Sequence, residues 1–334
     1  MFNLALLSYG NEIELKRAIV AVFSFFSFTS SLHLQGKVRV IIYTDNPKYF
    51  KDYFQEMNVE YNLLTLEKSV EMLGGTDYLF RRKIALIDEI FRIFPGEHIL
   101  FIDSDTFFIR DPTAMLKDIE SGASFMHEKE YSFYGAIDIY KRYMAHLGDN
   151  PEKYPLSFLN LIGNTTFEIQ NKAIKFNERQ YCWNSGVLGL NMNFAPLFSD
   201  IFNLNDRIYE NTRWFIAEQL AFSLVLQSTS ELREAKSFVN HYWRSKKRIA
   251  IRTEEFVTPA FAALSFVDKV KLTRRFATSI NRLILHENWL YIAMNGFRNR
   301  NYIKFLRATL KAAYYLPTGN ELYKYLKYHM DKLT

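Results

Sequence analysis

The stretch His98-Ile99-Leu100-Phe101-Ile102-Asp103-Ser104-Asp105-Thr106-Phe107-Phe108 constrains this chain most, because an apolar run ends abruptly in two carboxylates one residue apart. In an extended segment residues i and i+2 face the same way, so Asp103 and Asp105 can approach one cation together. A hard divalent ion with oxygen ligands suits such a pair. Two like charges at the end of a buried strand are costly without a counter-charge, so a site that keeps both ionised must supply one. The same pattern also admits the nucleophile pair of a haloacid-dehalogenase-type phosphatase, or a simple turn cap. The phosphatase motif wants Thr or Val two residues after the second aspartate, where this chain has Phe107.

The sequence around this pair alternates strands and helices. Strands are expected at Phe2 to Leu7, Val38 to Tyr43, Val59 to Leu64 and Ile99 to Ile102. Helices are expected at Glu12 to Phe28, Pro47 to Gln55 and Asp77 to Phe94. The last has Ile84, Ile87, Ile90, Phe91 and Phe94 at helical spacing, a cap at Thr76 or Asp77 and a Pro95-Gly96 stop. Such alternation predicts an α/β fold with a mainly parallel sheet flanked by helices. Ligands of open α/β sheets gather at the carboxyl ends of strands, which is where the acidic pair falls. Gly74-Gly75 reads as a turn, without the spacing of a dinucleotide or phosphate loop.

From Glu128 to Gln180 the chain is rich in tyrosine, asparagine and glycine with weak periodicity, as expected of an excursion that packs over a site or binds an acceptor. A polar turn at Asn184-Ser185-Gly186 then leads into a short apolar strand. Asn211 to Leu226 reads as a helix with Glu218 near its buried face, an unusual place for a carboxylate. Beyond about residue 245 basic and aromatic helices are expected at Asp268 to His286, Asn301 to Tyr315 and Glu321 to Lys332. Their pattern suits a helical extension over residues 251–334 that covers the core or lies on an anionic membrane surface.

With 334 residues the chain can bury a substantial core, and 23% charged and 49% hydrophobic residues describe a globular protein. The net charge of +6 favours an anionic partner, but no nucleic-acid reader motif is present, so nucleic acid is not expected. A single cysteine, Cys182, rules out a disulfide framework and a cysteine-based zinc site, and suits a reducing compartment. The N-terminus lacks a basic leader pattern and the Ala18 to Phe28 run is too short to span a membrane. A cytoplasmic protein, at most peripheral at the inner membrane face, is the expectation.

Taken together, the segments resemble the nucleotide-sugar glycosyltransferases of the GT-A fold, nearest to the glycogenin-like and lipooligosaccharide-galactosyltransferase family. The resemblance covers about residues 1–250 and rests, in order, on the Arg81-Arg82-Lys83 helix, Asp103-Ser104-Asp105, Asn184-Ser185-Gly186-Val187 and Glu218-Gln219. A partial match follows in His241-Tyr242-Trp243-Arg244-Ser245-Lys246-Lys247. There Arg244 stands in place of a glycine, and Arg248-Ile249 in place of Pro-Trp. The resemblance implies transfer of a sugar, by default from a UDP-sugar, to an acceptor hydroxyl on a glycan or lipid-linked molecule. It implies Mn²⁺ or Mg²⁺ held by Asp103, Asp105 and His241, with the imidazole tilting the choice to Mn²⁺. His286 is a rival third ligand. Among Arg81, Arg82 and Lys83 one or two would meet the diphosphate or base, Lys247 would meet the diphosphate, and Ser104 would lie against the donor. Asn184 and Ser185 would line the sugar or acceptor pocket. Glu218 would serve as general base or hold sugar hydroxyls with Gln219, unless it pairs with an arginine such as Arg213. A catalytically degenerate sugar-nucleotide-binding or scaffold protein is the competing reading.

Overall fold

The computed structural model describes residues 1–316, and within them the side chains of all but residues 32–34. Its strands are β1 (Phe2–Leu7), β2 (Val38–Thr44), β3 (Val59–Leu63), β4 (His98–Ile102), β5 (Thr106–Phe108), β6 (Ser124–Met126), β7 (Lys129–Ser132), β8 (Phe167–Ile169), β9 (Lys172–Ile174), β10 (Tyr181–Trp183), β11 (Val187–Leu190), β12 (Leu232–Glu234) and β13 (Val239–His241). Seven of them form the central sheet in the order β12-β6-β11-β4-β1-β2-β3. Only β11 runs against its neighbours β4 and β6, so the sheet is mainly parallel, as the alternation predicts.

The helices are α1 (Glu12–Leu34), α2 (Pro47–Lys51), α3 (Leu66–Glu71), α4 (Arg81–Ile93), α5 (Thr113–Glu120), α6 (Gly135–Tyr143), α7 (Lys153–Asn164), α8 (Phe198–Thr212), α9 (Ala217–Thr229), α10 (Lys246–Phe256), α11 (Pro259–Ala262), α12 (Phe266–Arg298) and α13 (Tyr302–Tyr314). Strands β1, β2 and β4 read as near-continuous apolar runs because both of their faces are covered. Ala5, Ile41, Tyr43, Ile99 and Phe101 join one core with α4, α8 and α9. The alternate positions Leu4, Leu6, Val40, Ile42, Leu100 and Ile102 join a second core with α1, α5 and the start of α12.

Several boundaries differ from expectation. Helix α1 continues to Leu34 across a kink at Thr29 (φ −127°, ψ 28°), whose hydroxyl donates to Phe25 O at 2.9 Å. Helix α2 stops at Lys51, short of Gln55. Helix α4 begins at Arg81, because the Thr76 hydroxyl donates back to Leu73 O and residues 77–80 form a turn. The helix expected over Asn211 to Leu226 is two helices: Arg213 adopts a left-handed conformation (φ 52°) as the C-cap of α8, and the Thr212 hydroxyl accepts the Trp214 amide. Helix α12 runs on to Arg298 and α13 covers nearly the expected span. The expected helix over Glu321 to Lys332 lies outside the described residues. Residue 250 falls inside α10, and Val257, Phe261 and Phe266 share a core with β1 and β2.

The 128–180 excursion is ordered into β7, α6, α7 and the β8–β9 hairpin, and β7 pairs with β10 where the chain returns. Trp214, fully buried, pins it down. Its indole N–H donates to the Tyr140 hydroxyl at 2.7 Å, and its ring meets those of Tyr140 and Phe158 edge-on at 5.1 and 5.8 Å. Tyr140→Phe takes away that acceptor inside a core. The expected loss is about 1–3 kcal/mol of unfolding free energy, measured by urea denaturation. A change within error would mean that the indole finds another partner at no cost.

Candidate functional site

The acidic pair lies where β4 leaves the sheet, and two backbone ladders bring its partners to it. Asp103 N–H donates to Gly186 O at 2.9 Å, just where the antiparallel strand β11 enters beside β4. Two residues later β5 pairs antiparallel with β13, setting His241 opposite Thr106, and Tyr242 N–H donates to Asp105 O at 3.1 Å. Phe107 and Phe108 are fully buried and fix this corner. Thus three short strands, and no single continuous motif, assemble the Asp103, Asp105 and His241 cluster, whose ligand atoms all lie within 4.8 Å of one another.

The orientation of the histidine ring follows from its neighbours. Asn184 Oδ1 accepts the Gly186 amide at 3.0 Å and stands 2.8 Å from His241 Nδ1. An amide oxygen can only accept, so Nδ1 carries a proton and donates to it, which leaves Nε2 as the ring atom turned to the carboxylates. That nitrogen lies 3.3 Å from Asp105 Oδ1 and 3.8 Å from Asp103 Oδ2, near the separation of about 3 Å kept by two donors on one ion at about 2.1 Å. A carbonyl oxygen behind the ring that takes its Nδ1–H is what orients a metal-ligating histidine. Two carboxylates and one imidazole nitrogen therefore fit a divalent ion of the Mn²⁺ or Mg²⁺ kind. Gly186 is required here, since a Cβ would overlap the His241 ring. His286 does not compete: it is buried beneath α13, with Nδ1 at 2.7 Å from Ala312 O.

Of the three basic residues opening α4, only Lys83 reaches the cluster. Its ammonium is 3.1 Å from Asp103 Oδ1 and 3.4 Å from Glu218 Oε1, and donates to Ser185 O and Oγ at 3.2 and 3.3 Å. Burial alone would push this ammonium down, and Asp103 and Glu218 reverse that and leave it above its ordinary value. Arg81 is held away from the cleft by Asp206 at 2.8 Å, and Arg82 turns to Ser69 O and the Tyr9 hydroxyl. Helical residues 100° apart cannot share a target, which explains the divergence. Lys247 is exposed and outside the cleft. Lys246, the first residue of α10, is the lysine that reaches the cluster, at 3.4 Å from Asp105 Oδ2 and 3.3 Å from Glu14 Oε1.

Glu14 and Arg17 of α1 complete this flank and were not legible as site residues. Glu14 accepts from Ser104 Oγ at 2.9 Å and pairs with Arg17, while Arg17 donates to Lys246 O at 2.8 Å. Burial alone would raise the Asp105 carboxyl, but the hydrogen bond and charge of His241, with Lys246 behind them, hold it well below the usual carboxylate range.

Glu218 is 3% exposed and pairs with Lys83, while Arg213 pairs with Asp77 at 2.8 Å, so the expected Arg213 pairing does not occur. The Glu218 carboxylate also accepts from the Ser185 hydroxyl at 3.1 Å. Burial raises its carboxyl above the ordinary value, an effect Lys83 opposes and Asp103 reinforces. Gln219 has its amide occupied: Oε1 accepts the Ser185 amide at 3.3 Å, and Nε2 donates to Glu130 Oε2 and Cys182 Sγ, both at 3.0 Å. Glu130, on β7, is a further group that sequence reasoning missed. Its carboxylate also accepts from Asn184 Nδ2 at 3.4 Å.

These residues line a cleft of about 990 Å³. Its floor is the strand ends of β1 and β4, one side comes from the α1 start and the 241–246 turn, and the other from β7, α6 and the turns before α4 and α9.

The sequence matches no protein-family model and no curated protein. Among solved structures, the chain is similar in backbone to the galactosyltransferase LgtC in complex with donor and acceptor sugar analogues, at 12% identity and a TM-score of 0.42 over 67% of this chain and 70% of that one. It is similar also to mouse xyloside xylosyltransferase 1, at 11% identity and a TM-score of 0.41 over 70% and 84% of the two chains. The glycosyltransferase GlyE of Streptococcus pneumoniae gives 12% identity and a TM-score of 0.44 over 83% of this chain and 64% of that one.

Two outcomes follow from the geometry. Asn184→Ala removes the acceptor that holds His241 in its orientation, and Mn²⁺ affinity by calorimetry should fall by about 10–100-fold. Unchanged affinity would show that His241 is not a ligand. For Glu130, burial, reinforced by Glu128, raises the carboxyl above 4.5. Its contribution to stability is fully present below the unfolded value and is lost as pH rises through the raised native one. Glu130→Gln should lose that decline while keeping an acceptor oxygen; denaturation curves across this range with the same slope as wild type would refute the assignment.

Proposed function

We propose that this chain is a metal-dependent glycosyltransferase of the GT-A type that moves a sugar from a nucleoside-diphosphate sugar to an acceptor hydroxyl. The observation that carries the reading is the Asp103, Asp105 and His241 cluster opening into a cleft at the carboxyl end of β4. Asp103, Asp105 and His241 would hold a divalent ion, which would offset the negative charge that a leaving diphosphate gains as the glycosidic bond breaks. Lys246 adds positive charge on the same flank, and Ser104 lies beside it. Lys83 joins this phosphate side to the sugar side through its contacts with Asp103 and Glu218.

Glu218, with its carboxyl raised by burial, is the group to accept a proton from the acceptor hydroxyl or to hold sugar hydroxyls. Ser185 orients it through the 3.1 Å hydrogen bond. Gln219 positions Ser185, Glu130 and Cys182 with atoms already spoken for. UDP is the favoured nucleotide and Mn²⁺ the favoured ion, on the sequence resemblance and on the imidazole ligand. Among the described residues no helix is long and apolar enough to cross a membrane. Exposed Ile303, Leu306 and Leu310 on α13 stand among Lys304, Arg307 and Lys311, a face that suits peripheral contact with anionic lipid and a role in surface-glycan synthesis.

With Mn²⁺ and a panel of UDP-sugars, wild-type protein should release UDP from one donor, and chelation should abolish this. Asp105→Ala should lower the rate by at least about a hundredfold. UDP binding without any turnover, by folded protein supplied with acceptor glycosides, would sink the proposal and favour a degenerate sugar-nucleotide-binding protein.

A further inference from the structure

One side of the cleft presents large apolar side chains to solvent. Leu79 and Phe80, in the turn before α4, and Phe215, in the turn before α9, line it while remaining 54%, 51% and 42% exposed. Large apolar side chains are often exposed singly, but three on neighbouring turns facing one cavity mark a binding surface.

The two turns are tied rigidly to each other. The buried Tyr78 hydroxyl donates to Phe215 O at 2.9 Å and accepts the Glu218 amide at 2.9 Å, and its ring stacks on Tyr209 at 4.4 Å. Arg213, in its left-handed cap, pairs with Asp77 at 2.8 Å on the outer edge. The same turns launch the helices that carry Lys83 and Glu218, so the apolar wall keeps a fixed relation to the polar centre. Asp103, Asp105, His241 and Lys246 line the same cleft.

Resting on the glycosyl-transfer reading, we propose that Leu79, Phe80 and Phe215 form an acceptor subsite for an apolar aglycone, so that the substrate is a saccharide carrying a hydrocarbon chain. The sugar hydroxyl then points to Glu218 while the chain lies along the wall. A hydrocarbon chain removes these side chains from water, with affinity growing with each methylene buried.

The test uses full-length wild-type protein with UDP and Mn²⁺, titrated by NMR with methyl, butyl, hexyl and octyl β-glycosides of glucose and galactose below their micellar concentrations. Affinity should rise at least about tenfold from methyl to octyl. The gain should vanish in the double variant Leu79→Ser/Phe80→Ser and, should that variant unfold by circular dichroism, in Phe215→Ser. No chain-length dependence in wild type overturns the proposal, as does a dependence that persists in the folded variants. A concentration-dependent dimer dissolved by the same substitutions, with no chain-length effect, would also overturn it and give the wall to a second copy. Failure of the parent reading is distinct: chain-length dependence without metal-dependent UDP binding or turnover would remove the transferase and leave the apolar wall.

Discussion

Two carboxylates at the end of a buried strand repel each other, and much of the site's construction answers that repulsion. Asp105 is nearly buried and Asp103 is the more open of the two, so neither can rely on bulk water alone. Lys83 approaches from α4, Lys246 from the start of α10, and His241 from β13, each on a different side. The arrangement leaves one gap, bounded by both carboxylates and the imidazole. A gap of this kind, with oxygen donors on two sides and an imidazole on the third, fits a divalent cation.

What the sequence made legible was what depends on local periodicity. The apolar run of β4, the acidic pair after it and the α/β alternation all follow from side chains that repeat every two or every 3.6 residues. His241 was legible through its spacing to known patterns, and the cross-strand register to Thr106 supplies the physical reason for its place. The sequence expectation falls on Lys247, whereas the fold brings Lys246 beside Asp105, and apolar periodicity gives no sign of which of two adjacent lysines turns inward. Of Arg81, Arg82 and Lys83, from which one or two side chains were expected at the donor, the fold turns Lys83 to the acidic pair, because adjacent residues on a helix point in different directions.

Other features are tertiary and had no local signal. The break at Arg213 separates two stretches that both look helical, and it exists because Trp214 must turn inward to meet Tyr140 and Phe158. Glu14 stands at the opening of a long helix with an ordinary i, i+3 partner, and only the folded chain brings Ser104 and Lys246 to it. Glu130 likewise joins the site through β7, in a region whose weak periodicity hid its strands.

The way the β7 to β10 excursion joins the sheet has its own consequence. His127 N–H donates to Asn184 O at 2.9 Å and Asn184 N–H donates to Glu128 O at 2.8 Å, so the chain leaves and re-enters through a sealed neck. The excursion is therefore anchored twice: at this neck, beside Asn184, and at its middle, where Tyr140 and Phe158 meet Trp214, so the wall it builds along the cleft cannot shift without disturbing the strand entry that carries Asn184 and Ser185.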